Sequence, residues 1–155
     1  MKYLKADADF SDDRVYRFRL QRRWEYYKPC IAWILLNPSI ADETEDDPTI
    51  RRCVGFSKFW GYGALAIYNL FALRSTNPKA LYSHPNPEVT NDAWLAGIEK
   101  DCNIVCAWGN HGALRDRGRN VLSIIHENRF YLRKTKIGEP AHPLYLPASL
   151  PLIRL

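Results

Sequence analysis

Cys30-Ile31-Ala32-Trp33-Ile34-Leu35-Leu36 runs without a polar interruption into Asn37-Pro38-Ser39. An apolar run that lacks period-two alternation describes a strand buried on both faces, as in the interior of a parallel sheet. The pattern returns twice more. Ala64-Leu65-Ala66-Ile67-Tyr68 leads into Asn69, and Ile104-Val105-Cys106-Ala107-Trp108 leads into Gly109-Asn110-His111-Gly112. A weaker version, Phe130-Tyr131-Leu132, is followed after a loop by Ala141-His142-Pro143. Ligands of parallel sheets bind beyond the carboxyl ends of the strands. The Asn, Gly and His segments are therefore expected to meet along one edge of the sheet.

Between these runs the signals are helical. Asp47-Pro48 offers an N-cap followed by proline at the first helical position. Ile50, Cys53, Val54, Ser57 and Trp60 then recur at three- and four-residue spacing, and Gly61 and Gly63 stop the helix. A long loop carrying Asn77-Pro78, His84-Pro85 and Asn86-Pro87 precedes a helix expected to be capped by Asn91, with Trp94, Leu95 and Ile98 on one face. A third helix is expected over residues 113–127, with Val121, Leu122 and Ile125 inward. Ahead of all this, Val15 to Arg22 alternates apolar and basic. That pattern reads as an edge strand whose Arg17, Arg19 and Arg22 face solvent and discourage edge pairing, or as part of a phosphate-binding surface. The order β-β-α-β-α-β-α-β predicts one α/β domain over residues 1–155. Its expected form is a three-layer α/β/α sandwich with a central, mainly parallel four-stranded sheet plus an edge strand.

Composition narrows the partners. The 155 residues suffice for one packed domain, and a net charge of +5 suits a polyanion. No apolar run approaches the roughly 20 residues that span a bilayer, and Met1-Lys2-Tyr3-Leu4-Lys5 opens no signal peptide. A soluble, cytoplasmic protein without membrane contact is expected. Cys30, Cys53, Cys102 and Cys106 form no Cys-x-x-Cys pair and read as small apolar residues. His84, His111, His126 and His142 lack metal-ligand spacing, so neither a metal nor an organic cofactor is expected.

Taken in order, the strand ends resemble the motifs of the uracil-DNA glycosylase superfamily. Leu36-Asn37-Pro38-Ser39 stands where that family has its first motif, and Tyr68-Asn69-Leu70-Phe71 where it has a second-strand asparagine. Trp108-Gly109 is similar to its strand ending in Trp-Gly, and His142-Pro143-Leu144-Tyr145 to its closing His-Pro element. Asp46-Asp47-Pro48-Thr49-Ile50-Arg51-Arg52 and Trp60-Gly61-Tyr62-Gly63 bring a nearer resemblance to an uncharacterised bacterial and phage family, domain of unknown function 1643. The glycosylase resemblance implies recognition of a nucleobase in DNA or in a nucleotide, with hydrolysis of an N-glycosidic bond. The glycine opening the first motif is replaced by leucine, which implies a base other than plain uracil.

That chemistry needs a positioned water, donors to the departing base, and a way to hold the base. The resemblance assigns Asn37 to the water or substrate. An amide is no strong general base, so proton removal falls to a nearby carboxylate, Asp42 or Asp47, with Asp46 beside them. Asn69 offers a donor and an acceptor, as a base edge requires. His142 would donate to the leaving base or to a phosphate. Pro38 and Ser39 complete the first motif as substrate contacts. Gly109, Asn110 and His111 open a strand-to-helix turn whose amides suit a phosphate, and Arg51 and Arg52 can face one. Each also has a plain structural reading: a turn, a loop-tying amide, a solvated arginine. The alternatives to an enzyme are a non-catalytic nucleic-acid-binding module of the same fold and an unrelated nucleotide-binding α/β protein. A serine hydrolase is disfavoured because no Gly-x-Ser-x-Gly elbow exists.

Overall fold

The computed structural model describes residues 2–85, 87 and 91–155. Seven strands form one mixed sheet: β1 (Lys5–Phe10), β2 (Arg17–Arg23), β3 (Cys30–Leu35), β4 (Ala64–Asn69), β5 (Ile104–Cys106), β6 (Arg129–Tyr131) and β7 (Ile153–Arg154). Their order across the sheet is β1-β2-β4-β3-β5-β6-β7. The pairings β4–β3, β3–β5 and β5–β6 are parallel, whereas β1–β2, β2–β4 and β6–β7 are antiparallel. The expected four-stranded, mainly parallel sheet with one edge strand thus gives way to a mixed seven-stranded one. β2 lies inside the sheet, because β1 covers its outer side. Neither β1, Lys-Ala-Asp-Ala-Asp-Phe, nor the two-residue β7 carries an apolar pattern that sequence reading detects.

Four α-helices accompany the sheet: α1 (Pro48–Phe59), α2 (Ala80–Ser83), α3 (Asn91–Ala96) and α4 (Arg117–Leu122). Helix α1 forms where its cap and proline place it, and the Asp47 carboxylate accepts from Ile50 N at 2.9 Å. Alternate residues of the inner strands then sort to opposite faces. Ile31, Trp33, Leu35, Leu65 and Ile67 pack with Ile50, Cys53, Val54 and Phe56 of α1. Ala32, Ile34, Ala66, Ile104 and Cys106 pack with Leu81, Leu95, Ile98 and Val121 on the other side. All four cysteines are free thiols.

The helix expected over residues 113–127 is shorter and broken. A 3-10 segment, Asn110–Asp116, comes first, and α4 starts only after Arg115 and Asp116 enter the left-handed region at φ 54° and 55°. The break folds the segment around Trp108. This indole donates to Glu139 at 2.7 Å, and a Cβ added at Gly112 would lie 2.0 Å from its Cδ1. A Cβ at Gly118 would lie 2.8 Å from its Nε1. Replacing Gly112 by alanine is therefore expected to cost about 2–3 kcal/mol through overpacking, read as a fall in the denaturant midpoint. An unchanged midpoint would mean that the indole has room to move.

Arg17 and Arg22 are not the solvent-facing side chains that alternation suggested. They are 2% and 1% exposed. A register shift between Asp9 and Phe10 of β1, opposite Arg17 and Arg19, breaks strict period two at the start of β2. Ion pairing covers Arg22: its Nε donates to Asp46 at 2.9 Å.

Candidate functional site

Three strands deliver the site. Asn69 is the last residue of β4, and Asn37 follows β3, its parallel neighbour, by two residues. Arg17 opens β2, which runs antiparallel to β4, so its first residue lies at the edge where β4 ends. His142 arrives from the loop beyond β6, and Asp47 from the cap of α1. These side chains, with Pro38 and Ser39, line one cavity of ≈ 40 Å³. Thr49 and Ile50 of α1 complete its wall.

The hydrogen bonds assign each group a direction. Asn37 Nδ2 donates to the carbonyls of Pro38, Leu73 and Ser75 at 3.1, 3.4 and 3.0 Å. Carbonyl partners fix which end of the amide is nitrogen, so Oδ1 is the end that can address a water or ligand. Arg17 donates from one terminal nitrogen to Ala41 O at 3.0 Å and from the other to Asn69 Oδ1 at 3.4 Å. Asn69 consequently turns its Nδ2 toward the cavity. Both Asn69 Nδ2 and Arg17 Nε are buried without a hydrogen-bond partner among the described residues. Buried donors without partners are uncommon in a folded chain, and each invites an explanation such as a missing water or ligand.

Electrostatics tie Arg17, Asp47 and His142 together. Burial pushes the Arg17 guanidinium down to about 10, opposed by the negative charge of Asp47. His142 is also lowered by burial, again against the pull of Asp47. His142 Nδ1 accepts from Leu144 N at 3.3 Å, so its neutral ring carries the proton on Nε2, where it can donate. The sign for stability follows. A histidine depressed in the folded state binds its proton more readily when unfolded. Stability is expected to be full above pH 6.5, the unperturbed value, and to fall as the pH drops through the folded-state value. Urea midpoints measured across that range should show an acid limb that His142→Gln flattens. An identical limb in the variant would assign it to other groups.

Some expected residues stand elsewhere. Asp42 Oδ1 accepts from the backbone of Thr44 and Glu45, both at 2.8 Å, and these bonds hold its carboxyl below the usual range. It organises its own loop and lines no part of the cavity. Asp46 serves Arg22 and Tyr3. Arg51 donates to Asp46 O at 2.9 Å, and Arg52 Nε donates to Pro143 O at 3.3 Å, so both brace the surroundings. Gly109, at φ 75°, lies close to the site, since a Cβ there would be 3.7 Å from that of His142. Asn110 starts the 3-10 segment, and His111 Nδ1 meets Tyr82 Oη at 2.9 Å. Asn91 sits inside α3 and ties down the end of β4, with Nδ2 donating to the carbonyls of Asn69 and Leu70. Phe71 and Tyr68, considered for base stacking, are buried in the core. Arg17 is the site residue that sequence reading missed, since only the register shift and the antiparallel pairing bring it here.

A family model described as a protein of unknown function, DUF1643, matches residues 17–144. The chain belongs to this family. The match takes in every strand end that lines the cavity. No curated protein and no solved structure matches the chain. Among the described residues no helix is long and apolar enough to cross a membrane, and no group of His, Cys, Asp or Glu could hold a metal ion.

Proposed function

We propose that this DUF1643 protein binds a nucleobase, in DNA or in a nucleotide, at the strand-end cavity and cleaves its N-glycosidic bond. The observation that carries this reading is the pair of buried donors, Asn69 Nδ2 and Arg17 Nε, left without partners in a cavity that also holds a carboxylate and an imidazole. At ≈ 40 Å³ the cavity accommodates roughly two waters by the usual measure. A base therefore presents one polar edge to it while the ring covers its mouth. The glycosylase-like, three-layer arrangement belongs to the same proposal. It is supported by the parallel β4–β3–β5–β6 pairings and by functional groups that follow their carboxyl ends.

In this reading Asn37 Oδ1 and the Asp47 oxygen not used in capping hold a water. Water oxygen bonds to the anomeric carbon as the carbon–nitrogen bond breaks, its proton passes to Asp47, and the departing base keeps the electron pair. His142 Nε2–H and Asn69 Nδ2–H stabilise the negative charge that grows on the base. Arg17 sits behind Asn69 and holds its Oδ1, so the amide cannot flip.

Asn69→Ala is the direct test of recognition. Affinity for oligonucleotides or nucleotides should fall about tenfold or more, in line with one or two lost hydrogen bonds to a buried polar edge. Affinity for an abasic backbone should stay the same. Binding to DNA should also weaken as salt rises, because phosphate contacts release counterions. Equal losses for both ligands would remove the base from the proposal.

A further inference from the structure

Gly55 lies in the middle of α1, where glycine weakens a helix relative to alanine. Nothing inside the protein calls for it. Its φ is not positive, and an added Cβ would meet no atom within 4 Å. The remaining use of such a glycine is to let something outside approach the backbone closely. The surroundings indicate what that is. Gly55 is shared by two clefts of ≈ 410 and ≈ 320 Å³ that adjoin along the helix. Arg51 and Lys58 line the first, and Arg51, Arg52 and Phe59 the second. Helix α1 holds these three cations and no acid. Arg51 and Arg52 spend donors on the carbonyls of Asp46 and Pro143, which leaves their charges uncompensated. Lys58 Nζ lies 5.5 Å from the centre of the Trp24 ring. On the facing wall, Asp46 is already paired with Arg22, and Glu45 is the remaining acid.

The groove also continues from the site. Asp47 caps α1, and Gly55 lies ~12 Å further along at the ordinary helical rise. We propose that the groove over Gly55 is a track for the phosphate backbone of a single-stranded nucleic acid whose base enters the strand-end cavity. Arg51, Arg52 and Lys58 meet phosphates, the bare helix at Gly55 lets one come close, and Phe59, 61% exposed, offers a ring for a neighbouring base. The proposal rests on the base-binding reading above, yet it depends on backbone contacts that the base site does not make.

The test uses the full chain and two fluorescently labelled probes, an oligothymidylate of about twelve nucleotides and an abasic strand of the same length. Gly55→Leu should weaken both probes at least tenfold. Gly55→Ala should raise Tm while weakening both a few-fold, an opposition of signs that a purely structural glycine would not give. Arg51→Gln combined with Lys58→Gln should lower the slope of log affinity against log salt by about two. Asn69→Ala should weaken the thymine probe alone. Wild-type affinity for both probes in Gly55→Leu overturns the track and leaves the base pocket standing. Failure of the wild-type protein to bind the abasic strand at low salt overturns it as well. If both probes weaken in Gly55→Leu while Asn69→Ala changes neither, the track holds and the base reading falls.

Discussion

Replacing Arg22 by methionine is expected to destabilise the protein by about 3–5 kcal/mol, the cost of breaking a buried ion pair from one side. The Arg22 side chain is wholly buried, and its Nε lies 2.9 Å from Asp46, itself only 13% exposed. Its terminal nitrogens donate to the carbonyls of Gln21, Asp42 and Glu45. Methionine fills a similar volume but leaves the Asp46 carboxylate with Tyr3 as its partner and strands those carbonyls. The acceptors belong to the loop that delivers Asp47, so the site should loosen together with the fold. The denaturant midpoint should drop at constant m. Adding Asp46→Asn should recover part of the loss, because the uncompensated charge is then gone. A loss below about 1 kcal/mol would show that water replaces the guanidinium, which its burial argues against.

The contrast between Arg22 and Trp33 explains how much of this molecule its sequence discloses. Trp33 sits in a run with no polar residue, and burial on both faces of a sheet is what such a run requires. The strands β3, β4 and β5 and the capped helix α1 are legible for that reason. Arg17 and Arg22 are as buried as Trp33, but their burial depends on Asp46, Asp47 and carbonyls distant in sequence. Local alternation reads them as solvated. β1 escapes because Lys-Ala-Asp-Ala-Asp-Phe offers no apolar face, and its place is set by pairing along β2. Strand direction escapes likewise: the apolar pattern of an inner strand does not show which neighbour runs antiparallel.

The site divides along the same line. Asn37, Asn69, Asp47 and His142 were readable because each ends a strand or caps a helix, and the sheet gathers such positions at one edge. Their orientations were not. Asn69 looked like a donor and an acceptor together, yet Arg17 occupies its oxygen and leaves it a donor. Asn37 looked like a free amide, yet three carbonyls hold its nitrogen. Asp42 and Asp47 were equivalent acids in one polar loop until the backbone amides of Thr44 and Glu45 claimed the first.

That separation makes Asp47→Asn the decisive substitution for chemistry. Asparagine caps a helix as well as aspartate does, so Ile50 N keeps its partner and α1 should persist. The negative charge is lost, and with it any means of taking a proton from water. Turnover should fall by a factor of about 10²–10⁴, the usual contribution of a general base, while affinity for a base-containing oligonucleotide changes only a few-fold. Arg17 loses the charge that offsets its burial, so Tm should drop, and retained ligand binding then certifies the fold under assay conditions. Asp42→Asn serves as the comparison: it touches only its own loop and should leave turnover near the wild-type rate. If Asp47→Asn cleaves within tenfold of wild type, Asp47 is a cap and no base. If the wild type binds a base yet cleaves no N-glycosidic bond across a broad panel of modified bases, the cavity belongs to a recognition module, with Asp47 there to keep Arg17 charged.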